Sequence, residues 1–365
     1  MLTPAAVSLV RRATRSALSG APWGWQEQVP AQDFVDAIAR HRLAQLVDGA
    51  AERFRLTGDL ATVVAAMARR DRLEAMTAIR ALLDVDDHLA GIDHLFVKGA
   101  ALAAQTTGDP TSRGPGDVDV LISPDDVGDA LGLLVARGWR PGPSYAVDRG
   151  SWAWRHQVRA GNEISLTGPH GHLDLHWRLD PTHHGLPGFD DLWERRTTVE
   201  VGSREVATLS GADAFRHSVR HAAKDRWDSL RSLVDIHRLA ADPGHWPERP
   251  TRLERASLSV VAATIGLPAT APALDETPSG LPTALLAQVG EVRERRFAGD
   301  DAWRHASYVL QSSRTPRDLA DLAASVLLPP QVVAEVPDAH AVTAVPRALR
   351  RRLSHALEFR HRSPR

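Results

Sequence analysis

Residues 93–123 read DHLFVKGAALAAQTTGDPTSRGPGDVDVLIS, and this stretch decides the fold. The apolar run at 94–97 predicts a short strand, which Lys98 and Gly99 end. The composition of 100–106 predicts a short helix, and the Gly- and Pro-rich residues 108–116 predict a turn. Residues 117–122 alternate at first and then become apolar. They predict a second strand that continues into a core.

The second strand carries two carboxylates. Because side chains alternate across a strand, Asp117 and Asp119 are expected on the same face, about 7 Å apart. Carboxylates placed in this way repel each other unless a cation lies between them. A strand with a solvated acidic edge is the other interpretation of the pair. A later strand, predicted over 172–179, offers a third carboxylate, Asp174.

Three phrases in this order resemble the polymerase-beta-type nucleotidyltransferase superfamily: FVKGAAL (96–102), TSRGPGDVDVLI (111–122) and HLDLHWRL (172–179). Within it they look like a bacterial nucleotidyltransferase family often found near natural-product genes. The resemblance covers roughly residues 90–240. It implies an α+β fold, with a small mixed β-sheet nucleotidyltransferase core flanked by N-terminal and C-terminal helical regions. One departure is the turn Lys98-Gly99-Ala100, because the superfamily usually has Gly-Gly or Gly-Ser there.

The chain divides by pattern into three predicted segments. Residues 1–90 form an N-terminal helical region, in which the stretch 60–90 has the pattern of one long helix. Residues 91–209 form the nucleotidyltransferase core, with a predicted hairpin around Gly202 near its end. Residues 210–365 form a C-terminal helical domain. In that domain, polar residues recur at three- and four-residue spacings and predict a single helix face: His217, His221, Lys224, Asp228, Arg231 and Asp235. This stripe is either a solvated face or one that closes over the active site.

The resemblance implies transfer of a nucleoside monophosphate from a nucleoside triphosphate, with ATP expected, to a hydroxyl or similar acceptor. It implies Mg²⁺ or Mn²⁺ as cofactor and a two-metal mechanism. Asp117 and Asp119 would bridge the two metals. Asp174 would complete the metal that holds the acceptor hydroxyl and accept its proton. All three aspartates are expected to converge at the open edge of a mixed sheet, and the acceptor is expected to be a small-molecule or peptide natural product.

The triphosphate needs cationic and amide donors. Gly99 permits close backbone approach, and the helix that begins after it suits an anion. Lysine occurs only at positions 98 and 224, although Lys and Arg together number 44. We therefore expect Lys98 and Lys224 to contact phosphate, together with Arg113 in the Gly/Pro-rich turn. His176 is expected beside Asp174 as a residue that orients it.

Two other classes of function fit parts of the sequence. His170, His172, Asp174 and His176 alternate, so one strand face would present three imidazoles and a carboxylate, followed by histidines at 183 and 184. That set suits a transition-metal hydrolase or oxygenase. The other alternative is a catalytically inactive protein of the same fold, which binds a nucleotide or a partner. The presence of all three aspartates argues against it, and the altered turn argues for it.

Composition narrows these classes. The 365 residues are 43% hydrophobic and 24% charged, with a net charge of −1, which is ordinary for a globular protein. A near-neutral charge disfavours a nucleic-acid acceptor. The absence of cysteine excludes disulfides, thiolate zinc sites and cysteine nucleophiles. No apolar run reaches the length of a signal peptide or a membrane span, so a cytoplasmic location is expected.

Overall fold

A computed structural model of the chain describes residues 3–23, 29–145, 148–180, 185–271, 315–328, 330–334, 336 and 340–362. These residues combine a mixed seven-stranded sheet with helices before, between and after its strands. The predicted α+β fold is confirmed. Among the described helices, none has both the length and the apolar character needed to cross a membrane.

The helices before the first strand are α1 (Pro4–Ser19), α2 (Ala31–His41), α3 (Ala44–Asp48) and α4 (Gly58–His88). Over the described residues this confirms the helical interpretation of the N-terminal region, including the long helix that leads to the first strand. Helix α1 begins where it does because the Thr3 hydroxyl accepts a hydrogen bond from the Ala6 amide and Pro4 follows as the first helical residue.

The strands are β1 (His94–Val97), β2 (Val118–Ile122), β3 (Arg140–Pro141), β4 (Glu163–Gly168), β5 (Gly171–His176), β6 (Thr197–Val201) and β7 (Arg204–Thr208). Their order in the sheet is β3-β4-β5-β2-β1-β7-β6. The pairs β3/β4, β4/β5 and β6/β7 are antiparallel, and β1/β7 is parallel. The predicted hairpin around Gly202 is β6/β7, and Gly202 has the left-handed backbone (φ 67°) that its turn requires.

The other helices are α5 (Gly99–Thr107), α6 (Val127–Ala136), α7 (Trp152–Ala160), α8 (Phe189–Glu194), α9 (Gly211–Lys224), α10 (Leu230–Leu239), α11 (Arg252–Thr264), α12 (Pro316–Leu327), α13 (Pro330–Val333) and α14 (Ala341–Arg362). A short 3₁₀ turn covers Pro243–His245.

The prediction that the polar stripe lies on a single helix is wrong. Its first three residues lie on α9 and its last two on α10, with Asp228 between the helices. Arg226 and Trp227, between these helices, have left-handed φ angles of 55° and 54°. Trp227 is 8% exposed, and its indole Nε1 donates a 2.9 Å hydrogen bond to the Ser257 hydroxyl. The helix therefore ends where this indole is buried against α11. The spacing of polar residues along one segment cannot predict a contact with a distant segment.

The chain forms two compact units, each built from separate pieces of sequence. The first comprises residues 1–84, 95–118 and 192–300, and the second comprises 85–94, 119–191 and 301–365. Each unit contains residues from all three predicted segments, 1–90, 91–209 and 210–365. The division of the chain into those three segments stays a prediction. In the first unit α9 packs on α10 and α11, and in the second α7 packs on α12.

The core of the second unit includes residues from both faces of β2 and from the apolar face of the β4–β5 hairpin. Fully buried apolar residues come from β2, β4 and β5: Val120, Leu121, Ile122, Ile164, Leu166, Leu173 and Leu175. Trp139 is also buried and lies against Gly168, where a Cβ atom would come within 2.3 Å of the indole ring. This glycine is therefore required by close packing inside a strand.

Candidate active site

The β4–β5 hairpin turns a row of polar side chains toward one face of the sheet. Its register places Glu163 opposite His176 and Ser165 opposite Asp174. The intervening residues are buried and apolar, so the polar residues share the other face. The predicted strand over 172–179 is confirmed as β5, which starts at Gly171 and ends at His176.

Asp119 comes to the same site from β2, the neighbour of β5 in the sheet. Val118 and Val120 are buried and Asp119 is only partly buried, so the strand alternates as predicted. Both strands are internal to the sheet, whereas the sequence led us to expect the aspartates at its open edge.

The side chains of Asp119, Asp174 and His176 converge. Each offers one potential metal-binding atom, and these three atoms lie within 4.8 Å of one another. His176 Nε2 makes a 3.0 Å hydrogen bond to Asp119 Oδ1. On the other side of the ring, Nδ1 lies 3.2 Å from Glu163 Oε2 as an ion pair. Only 6% of the His176 side chain is exposed.

Burial and charge shift the pKa values of two of these groups. Burial by itself lowers the pKa of His176, but the carboxylates of Asp119 and Glu163 outweigh it and raise this pKa to about 9. Burial raises the pKa of Asp174, and a hydrogen bond with Ser165 opposes that shift. The carboxylates of Glu163 and Asp119 raise it further.

The donor atoms of this site suit a divalent cation. Two carboxylates and an imidazole converge there, with the Glu163 carboxylate beside them. Carboxylates at such distances repel one another, and a cation held among them removes the repulsion. Oxygen donors suit Mg²⁺ and Mn²⁺, while an imidazole donor suits first-row transition metals. The residues present therefore fit a metal.

Comparison with known proteins agrees with this chemistry. Residues 27–265 match the protein family described as "Uncharacterised nucleotidyltransferase". The chain belongs to this family. The match reaches well into the N-terminal helices, beyond the three phrases that carried the resemblance in the sequence. Family membership supports nucleotidyl transfer as the general activity, with a nucleoside triphosphate as substrate.

Among solved structures, this nucleotidyltransferase family member is similar to an antigenic nucleotidyltransferase-like protein from Paracoccidioides brasiliensis. The identity is 15% and the TM-score is 0.31, over 52% of this chain and 86% of that chain. A search of curated proteins found no match.

The other predicted aspartate of the nucleotidyltransferase, Asp117, immediately precedes β2 and is exposed. The prediction that it shares a regular strand with Asp119 is wrong by one residue, because β2 begins at Val118. Asp117 does not belong to the group formed by Asp119, Asp174 and His176. Its role as a metal ligand stays a prediction.

The Lys98–Gly99 turn has an unusual backbone. Lys98 precedes the first residue of α5 with φ 56° and ψ −148°, a combination that is nearly restricted to glycine. Gly99 also has a positive φ, 44°, and a Cβ atom there would lie 3.5 Å from the Asp117 carbonyl oxygen. A non-glycine residue in this conformation costs about 1–3 kcal/mol, and such strain concentrates at functional sites.

Arg113 is committed to a buried ion pair. Its Nε donates to both carboxylate oxygens of Asp235 at 3.0 Å, and Nη2 lies 2.9 Å from Oδ2. The two side chains are only 9% and 7% exposed. Arg113 thus anchors the loop between α5 and β2 to α10. The predicted contact between Arg113 and phosphate stays a prediction.

Further contacts hold the same loop. Arg42 and Arg231 both donate to the Pro115 carbonyl, at 3.1 and 2.9 Å, and Gln45 donates to the Thr111 carbonyl at 2.8 Å. The loop between α5 and β2 is therefore held from α3, from α10 and from the end of α2.

The remaining predicted residues lie in different elements. Lys224 is the partly buried last residue of α9, and its phosphate contact stays a prediction. His176 contacts Asp119 and Glu163, whereas the sequence led us to expect it to orient Asp174. The face of three imidazoles is not formed among the described residues, because His170 lies outside β5 and exposed His172 contacts the Thr167 hydroxyl. Positions 183 and 184 fall outside the described residues.

Sequence reasoning missed Glu163, and it placed Asp235 in the polar stripe without finding its partner Arg113. Glu163 begins an alternating strand, and a hairpin turn assigned at Pro169 and His170 would have paired it with His176. Asp235 lies between Val234 and Ile236, and an acid flanked by buried apolar residues signals a buried ion pair.

Proposed function

We propose that the protein transfers a nucleoside monophosphate from a nucleoside triphosphate to a hydroxyl acceptor, with a divalent metal held by Asp119 and Asp174. The observation that carries the proposal is the convergence of these two aspartates with His176 in a member of a nucleotidyltransferase family. We also propose Asp117, two residues before Asp119, as the third metal-binding carboxylate, and this part of the proposal rests on the sequence pattern alone.

A bound metal would supply positive charge next to the phosphoryl oxygens, where negative charge builds during transfer. The chain's own residues hold and orient the reacting groups. Asp174 would also accept the proton of the attacking hydroxyl, since its strand faces the same site. Lys98, Gly99, Arg113 and Lys224 are proposed to contact the triphosphate. A two-metal mechanism, ATP as the nucleotide, and a small-molecule or peptide acceptor belong to this proposal.

The test follows pyrophosphate release from each nucleoside triphosphate with Mg²⁺ or Mn²⁺, together with mass shifts of molecules in a cell extract. We expect a labelled acceptor with one nucleotide. Asp119→Asn and Asp174→Asn should lower turnover at least about a hundredfold, because a catalytic metal supplies several kcal/mol of transition-state stabilisation. Asp125→Asn, an exposed acid shortly after β2, is the matched control and should keep the parent's rate.

Nucleotide binding without pyrophosphate release in any condition would contradict this function and favour the inactive, nucleotide-binding alternative. Full turnover by Asp119→Asn would contradict the assignment of the site.

A further inference from the structure

One imidazole joins the carboxylates of two other strands in the second unit. His176 on β5 lies between Glu163 on β4 and Asp119 on β2, at 3.2 and 3.0 Å. Because Glu163 is the direct cross-strand partner of His176, the sheet register itself holds these two residues together. Glu163 has no role in the function proposed above.

The two ring nitrogens have different surroundings. Nδ1 faces the Glu163 carboxylate, and Nε2 faces Asp119 Oδ1. A histidine that binds a metal through one nitrogen usually presents the N–H of its other nitrogen to a carboxylate or carbonyl, which fixes the orientation of the ring. Two donors bound at right angles, each about 2.1 Å from one ion, lie about 3 Å apart. The 3.0 Å separation of Nε2 from Asp119 Oδ1 has that value.

We propose that His176 is a metal ligand through Nε2, oriented by Glu163 at Nδ1, and that this imidazole makes the site select Mn²⁺ over Mg²⁺. Mg²⁺ binds mainly carboxylates, phosphates and water, while an imidazole nitrogen favours first-row transition metals. The inference rests on the proposed function, because it concerns the same Asp119–Asp174 metal site. It adds a ligand, a positioning residue and a metal preference.

The direct test is pulsed electron paramagnetic resonance of Mn²⁺ bound to the full chain, without nucleotide or acceptor. We expect a nitrogen coupling from one imidazole, and a Mn²⁺ affinity at least about tenfold above that for Mg²⁺ in competition. Absence of nitrogen coupling in the Mn²⁺-loaded parent protein would overturn the proposal, and this measurement needs no variant that must fold.

Variants separate coordination from simple positioning of Asp119. Glu163→Gln should lower Mn²⁺ affinity about 10- to 100-fold, the usual effect of removing the partner of a metal-binding histidine, with little change for Mg²⁺. His176→Gln should remove both the nitrogen coupling and the preference. His172→Gln, the exposed histidine earlier on the same strand, is the matched control and should change neither. An equal loss of both metals in Glu163→Gln and His176→Gln would overturn the proposal.

These results are distinguishable from failure of the proposed function. Transfer of nucleotide by a parent protein whose bound Mn²⁺ shows no nitrogen coupling would overturn this inference alone. Nitrogen coupling in a protein that transfers no nucleotide would overturn the proposed function alone.

Discussion

Removing Asp235 tests how the loop before β2 is held. The Asp235 carboxylate accepts two 3.0 Å hydrogen bonds from Arg113 Nε and lies 2.9 Å from Nη2, with both side chains over nine-tenths buried. Asp235→Ala removes the carboxylate that pairs with this buried guanidinium. Breaking a buried pair in this way costs about 3–5 kcal/mol. Burial lowers the pKa of the nearby Arg238 and the charge of Asp235 opposes this, so the variant also removes a favourable charge interaction from a second guanidinium.

We therefore expect Asp235→Ala to lower the free energy of unfolding by about 3–5 kcal/mol, a large part of the 5–15 kcal/mol typical of folded proteins. The assay is urea unfolding followed by tryptophan fluorescence. A matched control is Asp129→Ala, which breaks the 2.9 Å ion pair between Asp129 and Arg149. The Arg149 side chain is 52% exposed and the Asp129 side chain is 72% exposed. An exposed pair contributes about 0–1 kcal/mol.

The double variant Arg113→Leu/Asp235→Leu completes the cycle. If the cost of Asp235→Ala arises from a buried charge that has lost the Asp235 carboxylate, replacing both partners with apolar side chains should cost less than removing Asp235 alone. The reasoning would be refuted if Asp235→Ala unfolded within about 1 kcal/mol of the parent, or if the double variant were the least stable.

Three further predictions concern stability. Lys98→Gly should raise the free energy of unfolding by about 1 kcal/mol, because the relief of backbone strain exceeds the entropic cost of glycine. The same variant should bind triphosphate more weakly in calorimetry. A variant less stable than the parent would contradict the strain at Lys98. Burial lowers the pKa of His237, so the unfolded state binds its proton more readily and stability falls as the pH drops below about 6.5. His237→Gln should flatten that loss in urea unfolding between pH 7.5 and 5.5, and an unchanged slope would count against it. Gly168→Ala should lower the stability measured in thermal unfolding by about 1–3 kcal/mol, because the new methyl group meets the Trp139 ring. The control is Gly188→Ala, whose methyl group meets no atom within 4 Å. Equal stability of the two variants would exclude the clash.

Much of the local structure was determined by the sequence alone. The strand, turn, helix and second strand between residues 94 and 122 follow from alternation and turn residues, which are properties of neighbouring positions. The same holds for Asp119 and Asp174, because strand parity puts each on the polar face of its own strand. The family resemblance then placed these two aspartates in one site, and the structure brings them together with His176.

Tertiary structure alone decided the partners of the other charged groups. Arg113 and Asp235 are 122 residues apart, and no pattern within either segment shows that one neutralises the other. The break between α9 and α10 depends likewise on Trp227 burying its indole against Ser257, 30 residues away. The pairing of Glu163 with His176 depends on the register of one hairpin, and a slip of one residue would turn the side chain to the opposite face. Periodicity determines which face a residue occupies, but packing between distant segments determines what that face meets.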